Sequence, residues 1–355
     1  MGTQGDAPEL GLGRPPGVER DVELMTRVAS QYYLEGMTQD AVARSLRLSR
    51  PKVGRLLDRA RRVGIVEITV NVHPDLGLRV EAELLSQFGL DQVLLVNDQT
   101  DEAGQRASVA RATAGFLKRQ LKDGDVVALG MGRNVGAVPD FVGTPPARAA
   151  TFVSAIGGSP LVDTGVNPNE ICRRLAEAFR GGAEVLYAPA YAETPEVRDA
   201  FVHHDEVRDV LGRARTANVA LIGIGNARDD SAVVRMGCFS VSEMRGLRDN
   251  GAVGDILGSF FDADGQTVVG GMGDRVVAID RADLKRIQAV VAISSERDKG
   301  DAILGALRSG MVNVLVTTLA TARTVLDLSA RTRRAGVGQV TSRSGPAVMR
   351  SSSPP

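Results

Sequence analysis

The sequence predicts an α/β protein in two parts: a small N-terminal helix-turn-helix (winged) domain, then a doubly wound, mostly parallel sheet covered by helices. Three observations predict it. From Gln92 onward, short β-branched runs alternate with helical segments, the rhythm of a parallel sheet whose crossovers are helices. Between Thr38 and Arg62, two helical stripes flank a short turn. The chain, at 355 residues, is also too long for one small module and long enough for two or more cores.

In chain order, residues 1–18 are rich in Gly and Pro and are expected to be a disordered lead-in. Residues 19–72 form the small domain. Its first helix is expected over Arg20–Leu34, with Val22, Met25, Ala29 and Tyr32 inward and Gly36 as its stop. Thr38 can cap the second helix, whose inward positions are Ala41, Val42 and Leu46, while Leu48 and Ser49 close the turn and Ser49 caps the third. Pro51 suits a first helical turn, where its missing N–H costs nothing. Val53, Leu56, Leu57 and Ala60 then make the apolar stripe of that helix. Ile65–Val70 alternates and branches at Cβ, which predicts a strand, the wing.

Between Ala43 and Arg62 eight Lys/Arg face a single acid, Asp58, although the whole chain balances 43 basic with 43 acidic residues. Charge runs are usually solvated helix faces. Here the excess is local and coincides with the turn spacing, which favours duplex DNA as partner. In this motif the N-terminal part of the last helix meets base edges. Ser49, Arg50, Lys52 and Val53 are therefore the base-reading candidates, with Arg55 and Arg59 on phosphates and Thr38 and Gln39 at the start of the preceding helix.

Residues 73–90 carry an amphipathic helix with Leu78, Ala82, Leu85 and Phe88 apolar, expected as a linker and as a contact between copies, because a two-part DNA site needs at least a dimer. Residues 91–330 are the α/β domain. Strands are expected at Val93–Val96, Val126–Leu129, Thr151–Ile156, Val185–Tyr187, Val219–Ile224, Val276–Ile279, Val290–Ile293 and Val314–Val316, with helices at Glu102–Leu121, Glu170–Phe179, Glu206–Arg215 and Lys299–Ser309. Residues 331–355 hold five arginines and no acid among many Ser, Gly and Pro, and read as a disordered basic tail.

Composition narrows the partners. Zero formal net charge argues against bulk polyelectrolyte binding, and four tyrosines, nine phenylalanines and no tryptophan disfavour stacking on single strands. Two distant cysteines, Cys172 and Cys238, fit neither zinc nor a disulfide framework, and His203 and His204 lack ligand spacing, so no metal or other cofactor is expected and the setting is a reduced cytoplasm. No stretch approaches a membrane span, and the start has no signal-peptide core.

Ligands of parallel sheets bind at the carboxyl ends of strands. Gly130-Met131-Gly132-Arg133-Asn134, Gly157-Gly158-Ser159, Gly223-Ile224-Gly225-Asn226 and Ser294 to Lys299 all follow such runs. Any one of these loops serves equally well as a tight turn, but their recurrence at one strand end points to a shared pocket. Lys299 reads equally as a ligand partner or an exposed first-turn lysine. Asp255, between apolar neighbours, needs hydrogen bonds from backbone or ligand hydroxyls.

The helix-turn-helix followed by Gly130-x-Gly132-Arg133, Gly157-Gly158, Gly223-Ile224-Gly225, Gly251 to Asp255 and Lys299 to Leu315 resembles the SorC family of sugar-sensing transcription regulators over Asp21–Leu328. The resemblance implies a C-terminal domain similar to sugar-phosphate isomerases and deaminases but without turnover, usually a tetramer on its operator. It also implies an effector pocket lined by Gly130, Gly132, Arg133, Asn134, Gly157, Gly158, Asp255 and Lys299. Ile156, Asn134 and Thr317-Thr318-Leu319 depart from the family's usual polar residues, so the expected effector is a sugar, a polyol or a sugar phosphate. The alternative to a regulator is an isomerase- or deaminase-like enzyme carrying a DNA-binding domain, with Asp255 as its candidate base.

Overall fold

The computed structural model describes residues 16–66, 74–159, 164–269 and 273–341, and separates into two compact units that divide at Thr69 and Val70. In the first unit, α1 (Pro16–Ala29) continues into a π-helical turn, Ser30–Leu34, and Gly36 takes the left-handed φ of +67° that ends it. Val28 is fully buried where Val22, expected inward, is exposed. α2 (Gln39–Leu46) is capped by the Thr38 hydroxyl, which accepts from the Ala41 amide at 3.2 Å. It closes on Arg47, a non-glycine residue at φ +54°. α3 (Arg50–Arg62) follows after Leu48 and Ser49.

Ser49 has the extended backbone of a cap, but its side chain makes no capping bond; its carbonyl accepts from the Lys52 and Val53 amides instead. Both α1 and α2 pack on α3 through Met25, Val28, Val42, Val53, Leu57 and Ala60. Ile65 and Val66 are half-buried beside this core, their amides turned back to the Ala60 carbonyl. Residues 67–70 of the expected wing lie outside the described residues.

The second unit runs α4 (Pro74–Phe88), β1 (Gln92–Val96), α5 (Glu102–Gln120), β2 (Val126–Leu129), α6 (Arg133–Ala137), β3 (Thr151–Ser154), α7 (Pro168–Phe179), β4 (Gly182–Glu184), α8 (Pro195–His203), α9 (Asp205–Arg215) and β5 (Val219–Gly223). An insertion follows, comprising β6 (Gly225–Asn226), α10 (Ala232–Arg235), α11 (Val241–Asp249), β7 (Gly254–Ile256), β8 (Ser259–Phe261) and α12 (Arg281–Leu284). The chain finishes with β9 (Ala289–Ile293), α13 (Gly300–Arg308), β10 (Val314–Thr318) and α14 (Leu319–Thr341). The main sheet has the order β1-β10-β9-β5-β2-β3-β4, every pair parallel.

Side-chain alternation divides each central strand between two cores. Ala128, Val153, Ala220, Ile222, Val290 and Leu315 pack with α4, α9, α13 and α14. Val127, Leu129, Phe152, Leu221, Val291 and Val316 pack with α5, α6 and α7. A sheet covered on both faces is the doubly wound fold that the alternation of elements predicts. The helix after β2 lies on one face, and those before β5 and after β9 lie on the other. The winding therefore reverses between the neighbours β2 and β5.

The structure corrects four expectations. Val185–Tyr187 is not a strand: β4 is Gly182–Glu184, and the amide and carbonyl of Leu186 are taken by the Asn169 side chain in place of a neighbouring strand. Val276–Ile279 is buried but joins no ladder, making only isolated bridges of Val276 to Tyr191 and Ala278 to Ile156. In α4 the buried residues are Val80 and Leu84, with Leu85 and Phe88 partly covered, whereas Leu78 is 62% exposed. The tail expected as disordered from Arg331 is helical to Thr341, with Arg333 donating to Gln87 of α4 at 2.6 Å.

Phe152 is fully buried against Phe179, with ring centroids 5.6 Å apart. Phe152→Ala is expected to destabilise the α/β unit by about 3–5 kcal/mol, read as a lower urea midpoint at unchanged slope; a loss under about 1 kcal/mol contradicts this packing.

Candidate functional site

Reversal of winding between β2 and β5 leaves a crevice at their carboxyl ends, where no crossover covers the sheet. Past β2, the Gly130 amide donates to the Leu221 carbonyl at 2.9 Å, carrying the ladder one residue further. Gly132 then adopts φ +126° and ψ 160°, a conformation nearly restricted to glycine, and delivers Arg133 and Asn134 into the first turn of α6. Past β5, Gly225 passes directly beneath Asp255: a Cβ there would lie 1.9 Å from Asp255 Oδ1. β6, β7 and β8 form a small antiparallel sheet, and the turn of its β7–β8 hairpin, Leu257-Gly258, bends over the crevice with Leu257 at φ +50°. Past β9 come Ser294, Ser295 and Glu296.

These segments enclose a cleft of about 470 Å³, lined by Met131, Gly132, Arg133 and Asn134, by Ile156 and Tyr191, by Gly223 to Asn226, by Asp230 to Val233 with Arg235 and Met236, by Asp255, Leu257 and Gly258, and by Glu296, Asp298 and Lys299, among others. That is a volume suited to a ligand of sugar size. Two polar atoms of lining residues, Asn226 Oδ1 and Ser231 Oγ, are buried without a hydrogen-bond partner in the protein. A buried polar atom left in this way costs about 1–3 kcal/mol.

The charged groups are coupled. Lys299 Nζ donates to the Ile224 carbonyl at 2.8 Å and lies 3.2 Å from Glu296 Oε2. Asn134 Nδ2 donates to the same oxygen at 2.8 Å, and Ser295 Oγ donates to Asn134 Oδ1 at 2.7 Å. Burial pushes the Glu296 carboxyl up, but the Lys299 charge and the Asn134 amide outweigh it and hold the group below its usual range. Asp255 is different: burial raises its carboxyl above the ordinary carboxylate value, only partly offset by the Gly258 amide at 3.0 Å and the charge of Lys299. Burial, together with the neighbouring Asp255 carboxylate, likewise holds the Tyr191 phenol well above its usual value.

Of the residues read from the sequence, Gly132, Arg133, Asn134, Asp255 and Lys299 come together in this cleft. Gly130 lies beneath it, where a Cβ would approach Leu257 Cδ2 to 3.0 Å. Gly157 and Gly158 are not among its lining residues. Their amides bond to the Val277 and Ala188 carbonyls; a Cβ on Gly157 would strike the Pro189 carbonyl oxygen at 2.4 Å, so Gly157 serves close backbone packing, while a Cβ on Gly158 would meet the Asn167 side chain at 3.2 Å. Sequence reading missed Ser231 and Arg235, whose insertion carries no periodic signal, and Tyr191, in the connection between β4 and α8. Glu296 and Asn226 were legible only as members of polar loops.

In the first unit, Ser49, Arg50, Lys52, Arg55 and Arg59 are exposed on α3, with Arg44 and Arg47 exposed ahead of it. Val53 is fully buried in the three-helix core and is withdrawn as a base-reading residue, since its side chain cannot reach a groove. Thr38 is occupied as a cap, and half-buried Gln39 lies over Gly54. Arg59 donates to Asp21 at 2.9 Å and Arg50 lies 3.7 Å from Asp40; both pairs are open to water.

Residues 73–327 match the Sugar-bind family of sugar-binding domains. The erythritol catabolism regulatory protein EryD of Brucella abortus is 30% identical over 312 residues, covering 87% of this chain and 98% of that protein. The chain belongs to the SorC family of sugar-binding transcription regulators. Among solved structures, this SorC-family regulator is similar to the full-length sorbitol operon regulator SorC of Klebsiella pneumoniae, with a TM-score of 0.68, 28% identity and coverage of 86% of this chain and 99% of the other. It is also similar to the sugar-binding domain of a transcriptional repressor from Vibrio fischeri, with a TM-score of 0.67, 40% identity and coverage of 71% and 99%. No helix among the described residues is long and apolar enough to cross a membrane, and no group of side chains among them could hold a metal.

The raised carboxyl of Asp255 disfavours folding at neutral pH, because the folded state must ionise it at a higher cost than the unfolded chain does. Asp255→Asn in this regulator should therefore raise Tm at neutral pH, and the gain should vanish as pH falls below the ordinary carboxylate range. A gain independent of pH contradicts the burial argument.

Proposed function

We propose that a carbohydrate, free or phosphorylated, binds the cleft between the ends of β2, β5 and β9 and changes the affinity of the N-terminal unit for an operator in the cytoplasm. The observation that carries this is a sugar-sized cleft at the carboxyl ends of the strands that gathers Asp255, Lys299, Asn134, Asn226 and Ser231, side chains whose donors and acceptors match a ligand presenting several hydroxyls. The exposed face of α3, with its cations and few acids, supplies the complementary surface for a duplex.

Such a head contacts one half-site, so the active species is a homo-oligomer, a dimer or tetramer, and the effector works by favouring one arrangement of copies over another. The ligand is not turned over. NMR of the protein with aldose and ketose phosphates checks this, and product formation would move the assignment to an isomerase-like enzyme. A thermal-shift screen of sugars, polyols and their phosphates, followed by operator release in fluorescence anisotropy, tests the regulator itself. No stabilising carbohydrate, or one that leaves operator affinity unchanged, contradicts the reading.

Arg55→Ala should weaken binding to all sequences and lower the slope of log K against log salt by about 1. Arg50→Ala should reduce discrimination at one base pair by about 1–3 kcal/mol. Arg59→Ala should weaken binding less than Arg55→Ala, because Asp21 already compensates part of its charge. Unchanged operator affinity and salt slope in all three variants would remove α3 from the interface.

A further inference from the structure

We infer that the Glu296 carboxylate occupies the cleft's own anion-binding position, so that the regulator selects an effector without phosphate or carboxylate groups: a neutral polyol or sugar. This rests on the carbohydrate reading above and narrows it. The geometry is a five-donor cradle closed on one side chain. Glu296 Oε2 receives Asn134 Nδ2 at 2.8 Å, the Ser295 amide at 3.3 Å and Ser294 Oγ at 3.4 Å, and lies 3.2 Å from Lys299 Nζ. Arg133 reaches Oε1 at 3.5 Å. Two cations, an amide side chain, a backbone N–H and a hydroxyl converging on one oxyanion form the donor set that recognises a phosphate or carboxylate. Here the chain itself supplies the anion, from a glutamate only 11% exposed and anchored directly after β9.

A ligand phosphate entering beside Glu296 would meet a carboxylate of like charge in a partly buried site. Each such pair at about 5 Å lowers affinity by on the order of a hundredfold. The rest of the cleft adds to the effect: beyond Glu296, Arg133 and Lys299, its described lining residues hold four carboxylates, Glu102, Asp230, Asp255 and Asp298, against the single cation Arg235, with Arg228 pairing Asp230 and Asp298 from outside. Two uncharged atoms of lining residues, Asn226 Oδ1 and Ser231 Oγ, have no partner, and Asp255 Oδ2 receives the Gly258 amide alone. These are complements for ligand hydroxyls. A second hollow of about 290 Å³ shares Glu296, together with Glu102 and Asp298, with the cleft.

The test is isothermal titration of the full-length protein with inorganic phosphate, on the wild type, Glu296→Ala and Glu296→Gln. Wild type should give no saturable binding. Glu296→Ala, which opens the cradle and leaves Lys299 and Arg133 without their counter-charge, should bind phosphate at least about tenfold more tightly than wild type. It should also show a lowered Tm that phosphate restores and chloride at equal ionic strength does not. Glu296→Gln keeps the shape without the charge, should bind more weakly than Glu296→Ala but more tightly than wild type, and decides the matter if the alanine variant does not fold. Wild type binding phosphate as tightly as the variants, or neither variant binding it, overturns the assignment. Erythritol and sorbitol, titrated separately into wild type with operator release as readout, test the carbohydrate reading: their failure together with every other sugar would sink that reading without altering the phosphate result.

Discussion

Everything the larger unit does follows from one constraint: its parallel sheet is wound in opposite senses from two adjacent strands. Crossovers leave β2 on one face and reach β5 on the other, so no helix closes the space between their carboxyl ends. The central strands are mainly apolar on both faces and offer little to a polar ligand. The loops beyond them do, because they emerge together at an uncovered edge and each must turn sharply into a helix or a hairpin. Gly132 and Gly225 mark where that turning is tightest, the first through its backbone angles and the second through the carboxylate pressed over it.

Charge within the cleft is arranged in two unlike environments a short distance apart. Glu296 is buried but satisfied, and its neighbours keep it ionised. Asp255 is buried with one backbone donor and an aromatic phenol for company, and its proton is held more tightly as a result. Lys299 acts on both carboxylates, so a ligand that draws it away from Glu296 changes the cost of ionising Asp255 as well. The cleft is thus a coupled unit, in which a neutral guest and a charged one have different consequences.

The three-helix unit illustrates a division of labour along one helix. Val53, Leu56, Leu57 and Ala60 turn inward and fix the position of α3, while the cations Arg50, Lys52, Arg55, Arg59, Arg61 and Arg62 are left to solvent. The same spacing that buries Val53 excludes it from contact with DNA, and the ion pairs of Arg50 with Asp40 and Arg59 with Asp21 hold two of the exposed cations in place before any partner arrives.

By itself the sequence determined the helix-turn-helix, the parallel α/β class and most of the central strands, because each is written in local periodicity: 3.6 residues for the stripe of α3, branched runs for β2, β5, β9 and β10. It also singled out Gly132, Arg133, Asn134, Asp255 and Lys299, since glycine-rich turns and a carboxylate among apolar residues are unusual locally. Only the tertiary structure decided that Gly157 and Gly158 do not line the cleft, that Val276–Ile279 lies outside the sheet, that the β7–β8 turn contributes Leu257 and Gly258 to the cleft, and that Glu296 sits at the focus of five donors. Those facts depend on which loops meet in space, 162 residues apart in the case of Asn134 and Glu296, and no periodicity along the chain encodes such a meeting.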